Sequence, residues 1–182
     1  LRPSHQTTIF ITKEKKLAKT EINTLFNLTG KVVAITGGGG VLGSEIACAL
    51  VEVGSNVAIL DLQTELPAEV KERLESASGD YEVFKCDVLD KSSIENCKDN
   101  IIQKFGKIDI LINGAGGNHP KSTTNADMSF FDIPAEAFNW VMQLNLSGSV
   151  LPSQVFGKYF AEKNEGNILN ISSMNAFRPL TR

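Results

Sequence analysis

Cysteine is scarce in this sequence: Cys48, Cys86 and Cys97 are the full set, and they lie far apart. So few, and odd in number, they exclude a disulfide framework and offer no metal-ligand spacing. They read as free thiols in a reducing compartment, the cytoplasm. Cys48 falls in an expected helix and Cys86 at an expected strand end, where each acts as a small apolar filler. No apolar run approaches the roughly 18 residues that would cross a bilayer, so no membrane segment is expected. No basic block interrupts the predicted fold, and the net charge is −3. That balance argues against nucleic acid or an anionic membrane as the main partner. The first residues lack the apolar core of a signal peptide and begin without methionine, so further residues upstream are expected. What remains is ordinary globular material: 182 residues, 42% hydrophobic and 21% charged, enough for one domain.

The chain is organised around Lys31–Asp61. A short apolar run, Val32 to Ile35, bounded by turn residues, has the pattern of a buried parallel strand. Gly37 to Gly40 and Gly43 follow, then an apolar-periodic helix from Val41 to Val53 that stops at Gly54. A second apolar run, Val57 to Leu60, ends in Asp61, 18 residues after Gly43. Glycines allow a tight turn and close approach to a pyrophosphate. The helix behind them aims unpaired N–H groups and its dipole at the phosphates. An acid at the tip of the second strand accepts hydrogen bonds from ribose hydroxyls and repels a 2′-phosphate. Gly38, Gly40 and Gly43 fit G-x-G-x-x-G in the strand–turn–helix setting that a dinucleotide site requires. Without a ligand, the same glycines would serve close helix–sheet packing alone.

Residues 1–28 carry little fold signal and read as an arm, flexible or loosely docked; packing against a neighbouring subunit is the alternative. From residue 29 onward, helices and strands alternate. A polar helix is expected near Leu66–Ser76, a strand over Tyr81–Cys86, and a helix near Ser92–Phe105 capped by Asp90 or Ser92. A strand over Ile108–Ile112 leads into Asn113-Gly114-Ala115-Gly116-Gly117, and a loop runs from Asn118 to Ile133. A long helix then begins near Pro134, as its first-turn proline, and continues to about Lys163. The last strand, Asn167–Ile171, ends at Ser172-Ser173. Repeated β-α units imply an open parallel sheet with helices on both faces. Gly37, Asp61, Asp87, Asn113 and Ser173 all fall at strand carboxyl ends, where such sheets bind ligands.

These strand-end residues resemble the short-chain dehydrogenase/reductase family over Asn27–Arg182. Thr36-Gly37-Gly38-Gly39-Gly40-Val41-Leu42-Gly43 is similar to its T-G-x-x-x-G-x-G turn, with Val41 where the family usually has its second glycine. Asp87-Val88 is similar to its adenine-contacting step, and Asn113-Gly114-Ala115-Gly116 to its N-x-A-G motif. Asn145 matches a helix asparagine that holds a relay water, and Ser173, in Asn170-Ile171-Ser172-Ser173, the catalytic serine. Gly116 to Lys121 and Ser173 to Phe177 resemble a sugar-acid subgroup of D-mannonate oxidoreductase type. The resemblance implies an α/β fold: a Rossmann-type, doubly wound parallel sheet with helices on both faces. The NAD(P)-binding domain would span 29–182, with the C-terminal part of the fold beyond Arg182. It further implies an NAD-dependent oxidoreductase. Cofactor-binding positions are Gly37, Gly39, Gly40, Val41, Leu42, Gly43, Asp61, Asp87, Val88, Asn113, Ala115 and Gly116.

Family members use a tyrosine, and a lysine four residues on, after the serine strand. Hydride transfer to a carbonyl builds alkoxide charge that a nearby acid must neutralise. A tyrosine does this near neutrality only beside a cation. The two tyrosines here, Tyr81 and Tyr159, are followed at that spacing by Lys85 and Lys163, but both precede the serine. The catalytic pair is therefore expected shortly beyond Arg182. Asp61, and Gly40 in place of a basic residue, favour NAD(H) over NADP(H). His119, Lys121, Asn175 and Arg178 are candidates for a sugar-acid substrate, since Lys or Arg would suit its carboxylate. Each charge alone is more often a solvated surface group. Trp140 and Met142 read as core or subunit contact, and family members pair the long helix with its twin as homodimers or homotetramers. No metal site is expected.

Overall fold

A computed structural model describes residues 26–174. Residues 1–25 of the arm, and 175–182 with Asn175 and Arg178, lie outside the described residues. Strands β1 (Val32–Thr36), β2 (Asn56–Asp61), β3 (Tyr81–Lys85), β4 (Ile110–Asn113) and β5 (Asn167–Asn170) form one parallel sheet in the order β3-β2-β1-β4-β5. Helices α1 (Val41–Glu52), α2 (Ala68–Glu75), α3 (Lys91–Phe105), α4 (Ala135–Met142) and α5 (Gly148–Lys163) connect them. The chain winds outward from β1 to β3, then crosses to β4 on the other side of β1. The gap between β1 and β4 is therefore the switch point where strand order reverses.

Both faces of the central strands are covered, which is why their sequences are continuous apolar runs rather than alternating ones. Val33, Ile35, Val57 and Ile59 pack with Ala47, Cys48 and Val51 of α1 and Val70 and Leu74 of α2. Val32, Ala34, Ala58 and Leu60 pack on the other face with Ile94, Cys97 and Ile101 of α3 and Val155, Phe156 and Phe160 of α5. The cysteines are buried and free, as the filler reading expects. A hydrogen bond with Cys97, together with burial, pushes the Cys86 thiol up, so it stays neutral.

Element ends follow local chemistry. Gly54 (φ +85°) returns its N–H to Val51 at 3.0 Å after α1, and Gly106 (φ +81°) returns its N–H to Ile102 at 2.8 Å after α3. Asp90 is the cap of α3, accepting from the Ser92 N–H at 2.9 Å. Three expectations change. Pro134 stands at the cap position of α4, with Ala135 first in the helix. The expected long helix is interrupted by a widened π turn, Gln143–Ser147, between α4 and α5. Pro152, inside α5, lacks the N–H that would reach the Gly148 carbonyl, so the ladder is already weakened beside that turn. Finally, β4 begins at Ile110 instead of Ile108, although the Asp109 N–H still reaches the Val32 carbonyl at 2.9 Å.

Asp109 is a buried carboxylate that the apolar pattern of its strand conceals. It accepts the Val32 N–H at 2.8 Å and pairs with Lys107 at 2.9 Å and Lys31 at 3.4 Å, locking β1 to β4. Burial alone would raise its pKa. The Val32 N–H, Lys107 and Lys31 outweigh that and hold it below the usual carboxylate range. A depressed folded pKa means this stabilisation is present above the unfolded value of about 4 and is lost as pH falls below it. Asp109→Asn should therefore cost about 1–3 kcal/mol at pH 7. The gap to the unsubstituted protein should narrow in urea titrations as pH falls through the depressed native-state pKa of Asp109.

Candidate cofactor and active site

The site is built along the carboxyl edge of the sheet, from the loops that leave β1 and β4. Thr36, fully buried at the end of β1, accepts the N–H groups of Gly114 (3.1 Å) and Ala115 (3.2 Å) on its Oγ1. This draws the two loops together. Gly37 (φ +66°) sits so close that a Cβ there would lie 2.8 Å from the Ala115 Cα. A Cβ at Gly43, in the first turn of α1, would run into the Gly37 carbonyl, so helix and turn are pressed together with no room for a side chain. The positive φ of the turn is therefore used at Gly37. Gly40 is extended (φ −74°) and is constrained by space instead, since a Cβ there would lie 3.3 Å from the Gly37 carbonyl oxygen. Val41, at the position where a glycine is usual, is the first helical residue and projects outward, 90% exposed, so it leaves the turn intact.

The start of α1 carries no side-chain cap and no acid in its first turn. Its first N–H groups, on Val41, Leu42 and Gly43, have no intrahelical acceptor and face the turn with the positive end of the helix dipole. Asp61, last in β2, accepts from Gly39 N–H at 3.0 Å on one oxygen and from Gln63 N–H at 3.1 Å on the other. The carboxylate thus fastens the tip of the glycine turn. A Cβ on Gly39 would press to 3.1 Å from it. Uncapped N–H groups, a cradle that any Cβ would fill and a fixed acid at its rim together fit a dinucleotide pyrophosphate and ribose.

Asp87 follows β3 on the same edge, exposed, its carboxylate taking the Leu89 N–H at 2.9 Å. Val88 is buried against Gly148 at the start of α5. Beyond β4, Asn145 grips Gly117 from the π turn. Its Nδ2 donates to the Gly117 carbonyl at 2.7 Å and its Oδ1 accepts the Gly117 N–H at 3.1 Å. Gly116 leaves no room for more, since a Cβ there would be 2.7 Å from Asn145 Oδ1. π turns occur often at functional sites because they re-aim a side chain out of the regular ladder. Gly114, Ala115, Gly116, Asn145, Ser149, Ser172 and Ser173 line one cleft of about 450 Å³.

His119 and Lys121, expected to meet the substrate, do not line that cleft. His119 accepts the Lys121 N–H on Nδ1 at 3.2 Å and lies edge-on to Trp140, ring centres 5.4 Å apart. Lys121 is exposed and makes no ion pair among the described residues. Trp140 and Met142 are also partly exposed, which removes the core half of their expected role. The tyrosine–lysine pairs are structural. Burial, then Glu75, Glu82 and Asp80, push the Tyr81 phenol up, opposite to activation. Tyr159 takes the Ile108 N–H at 3.3 Å, at the amino end of β4 and away from Ser173. The sequence reading placed Thr36 in the glycine-turn motif but gave it no role; the hint was a hydroxyl closing an otherwise apolar strand.

The sequence profile of the short chain dehydrogenases matches residues 31–182. The chain belongs to this family. An uncharacterized oxidoreductase of Haemophilus influenzae is 42% identical over 166 residues, covering 86% of this chain and 58% of the relative. A NAD-bound crystal structure of a Haemophilus protein, proposed to be a D-mannonate oxidoreductase, superposes with a TM-score of 0.78 at 41% identity; the match covers 88% of this chain and 61% of that one. A D-threitol dehydrogenase of Mycolicibacterium smegmatis is 32% identical over 151 residues, covering 83% of this chain and 55% of the relative. The chain thus spans less than two thirds of these short chain dehydrogenases. Because Gly43 has no space for a Cβ, Gly43→Ala should displace the glycine turn and weaken dinucleotide binding at least about tenfold by calorimetry, while Val41→Ala, which keeps the backbone N–H that faces the pyrophosphate and trims only an exposed side chain, should leave it unchanged.

Proposed function

We propose that this chain is the cofactor-binding part of an NAD-dependent oxidoreductase of the cytoplasm, transferring a hydride between nicotinamide and a hydroxyl or keto group of a sugar acid such as D-mannonate or D-fructuronate. The observation that carries the reading is the meeting of Asn145 and Ser173 on the Gly114–Gly116 loop, at the same sheet edge as the Asp61–Gly39 turn. In it, Gly37, Gly39, Gly40, Val41, Leu42 and Gly43 hold the pyrophosphate. Asp61 takes the ribose hydroxyls, Asp87 and Val88 lie toward the adenine, and Asn113, Ala115 and Gly116 form the floor. The cofactor, when bound, supplies the hydride or receives it. Ser173 donates a hydrogen bond from its hydroxyl to the substrate oxygen, where negative charge develops, and keeps its proton. Asn145 anchors a proton path to solvent, and a tyrosine and lysine beyond Arg182 supply the acid. Asn175 and Arg178, shortly after Ser173 in the chain, recognise the sugar acid, and His119 and Lys121, which stand outside the cleft, contribute only where the substrate extends beyond it.

Charge and hydrogen bonding support NAD over NADP, because the Asp61 carboxylate would repel a 2′-phosphate. Homo-oligomerisation is supported by a row of half-exposed apolar side chains spaced four apart, Phe138, Met142, Leu146 and Val150. A polyol or gluconate-type substrate is the second reading, favoured by the likeness to the D-threitol dehydrogenase. A NAD-binding module without catalysis is the third.

A substrate panel with NAD and NADP separates these readings: turnover on D-mannonate or D-fructuronate upholds the first, turnover on polyols or gluconate-type acids alone the second, and binding without turnover the third. Asp61→Ala should erase most of the preference for NAD, a factor of roughly 10 to 100 for one charged hydrogen-bonding group. An unchanged NAD/NADP ratio would refute its assignment. Ser173→Ala should lower turnover about 100-fold or more while NAD affinity stays the same.

A further inference from the structure

We propose that Ser149 and Ser153, on one face of α5, are positioning residues that tie the ends of β4 and β5 to Asn145 through a continuous run of hydrogen bonds. The run starts in the sheet. Asn113 and Asn170 are register partners at the ends of β4 and β5, and Asn113 Nδ2 donates to Asn170 Oδ1 at 2.7 Å. The second hydrogen of that Nδ2 goes to Ser153 Oγ at 2.8 Å. Ser153 Oγ donates to the Ser149 carbonyl at 2.6 Å, and Ser149 Oγ donates to the Asn145 carbonyl at 3.1 Å. Asn145 then grips Gly117 through both its amide groups. Asn113 and Gly117 bound the same loop, so the run closes on itself around the floor of the cleft.

The chemistry gives this ring a direction. Asn113 is almost fully buried, and its Oδ1 has no partner among the described residues, so its orientation rests on its two N–H bonds. Turned over, its oxygen would face Asn170 Oδ1 and that bond would be lost, while the Ser153 hydrogen would have to leave the Ser149 carbonyl to reach it. Ser153 Oγ accepts from Asn113, which commits its single hydrogen to the Ser149 carbonyl. Residues 145, 149 and 153 are spaced four apart and share a helix face. The hydroxyl of Ser149 reaches back to a carbonyl of the π turn, where the regular ladder is broken. Two serines, Ser149 at the wall of the cleft and Ser153 one turn further along α5, therefore set the height of Asn145 against the loop that carries Gly114 to Gly117.

The kinetic arm of the test rests on the oxidoreductase reading; the exchange arm does not. In the full-length protein, Ser149→Ala and Ser153→Ala should accelerate amide hydrogen exchange at Gly117 at least about fivefold. They should lower kcat about tenfold and move its pH profile, with KM for the dinucleotide unchanged. Ser153→Thr, which keeps the hydroxyl, should restore all three. Folded variants with unchanged Gly117 exchange and unchanged kcat would overturn the proposal. So would losses that track melting temperature alone without rescue by threonine. If the unsubstituted protein turns over no sugar acid or polyol, the catalytic reading fails, and Gly117 exchange alone decides: acceleration upholds the positioning role and its absence overturns it.

Discussion

The close approach of two loops, held by one buried hydroxyl, governs the rest of this molecule. Thr36 Oγ1 accepts two backbone N–H groups from the loop after β4 and so brings it against the turn after β1. Everything nearby must then do without Cβ atoms: Gly37 against Ala115, Gly43 against Gly37, Gly114 against the Thr36 carbonyl. The parallel sheet makes this approach possible, because β1 and β4 end side by side while their connections depart to opposite faces. A short chain dehydrogenase of this kind concentrates polar backbone at one edge and keeps the strand interiors dry.

The opposite edge of the sheet is held by charge instead of close packing. Asp109, nearly buried, takes the Val32 N–H and the two lysines Lys31 and Lys107. A buried carboxylate with a backbone donor and two cations is well compensated, so it can fix the β1–β4 register without an uncompensated charge in the core. The carboxyl edge is thus left to glycines and hydroxyls, groups that accommodate a ligand.

The strand-end residues were legible because their signal is local: a glycine run before an apolar helix, an acid closing an apolar strand, paired amides and serines at two others. Asp90 as a cap and Gly54 and Gly106 as stops were legible for the same reason, each being a short-range backbone requirement. The broken helix was not. Gln143 to Ser147 carries ordinary helix-compatible residues, and what widens it is Asn145 reaching a loop 28 residues earlier in the chain together with Pro152 one turn on. The places of His119 and Lys121 were equally hidden, since the ring contact with Trp140 depends on how the loop and α4 dock.

The amino-acid sequence by itself determined the alternation of strand and helix, the glycine turn, the acid at the tip of β2 and the family. Those depend on periodicity and on backbone geometry within a few residues. Only the tertiary structure decided that the turn's positive φ belongs to Gly37, that Asp61 fastens Gly39, that Asn145 clamps Gly117, and that Asn113, Ser153 and Ser149 join into one ring. The contacts of Asp61 with Gly39, Asn145 with Gly117 and Asn113 with Ser153 join residues far apart in sequence, set by the register of parallel strands and the docking of α5. Hydrogen bonds of that range have no signature until the sheet places their partners within 3 Å of one another.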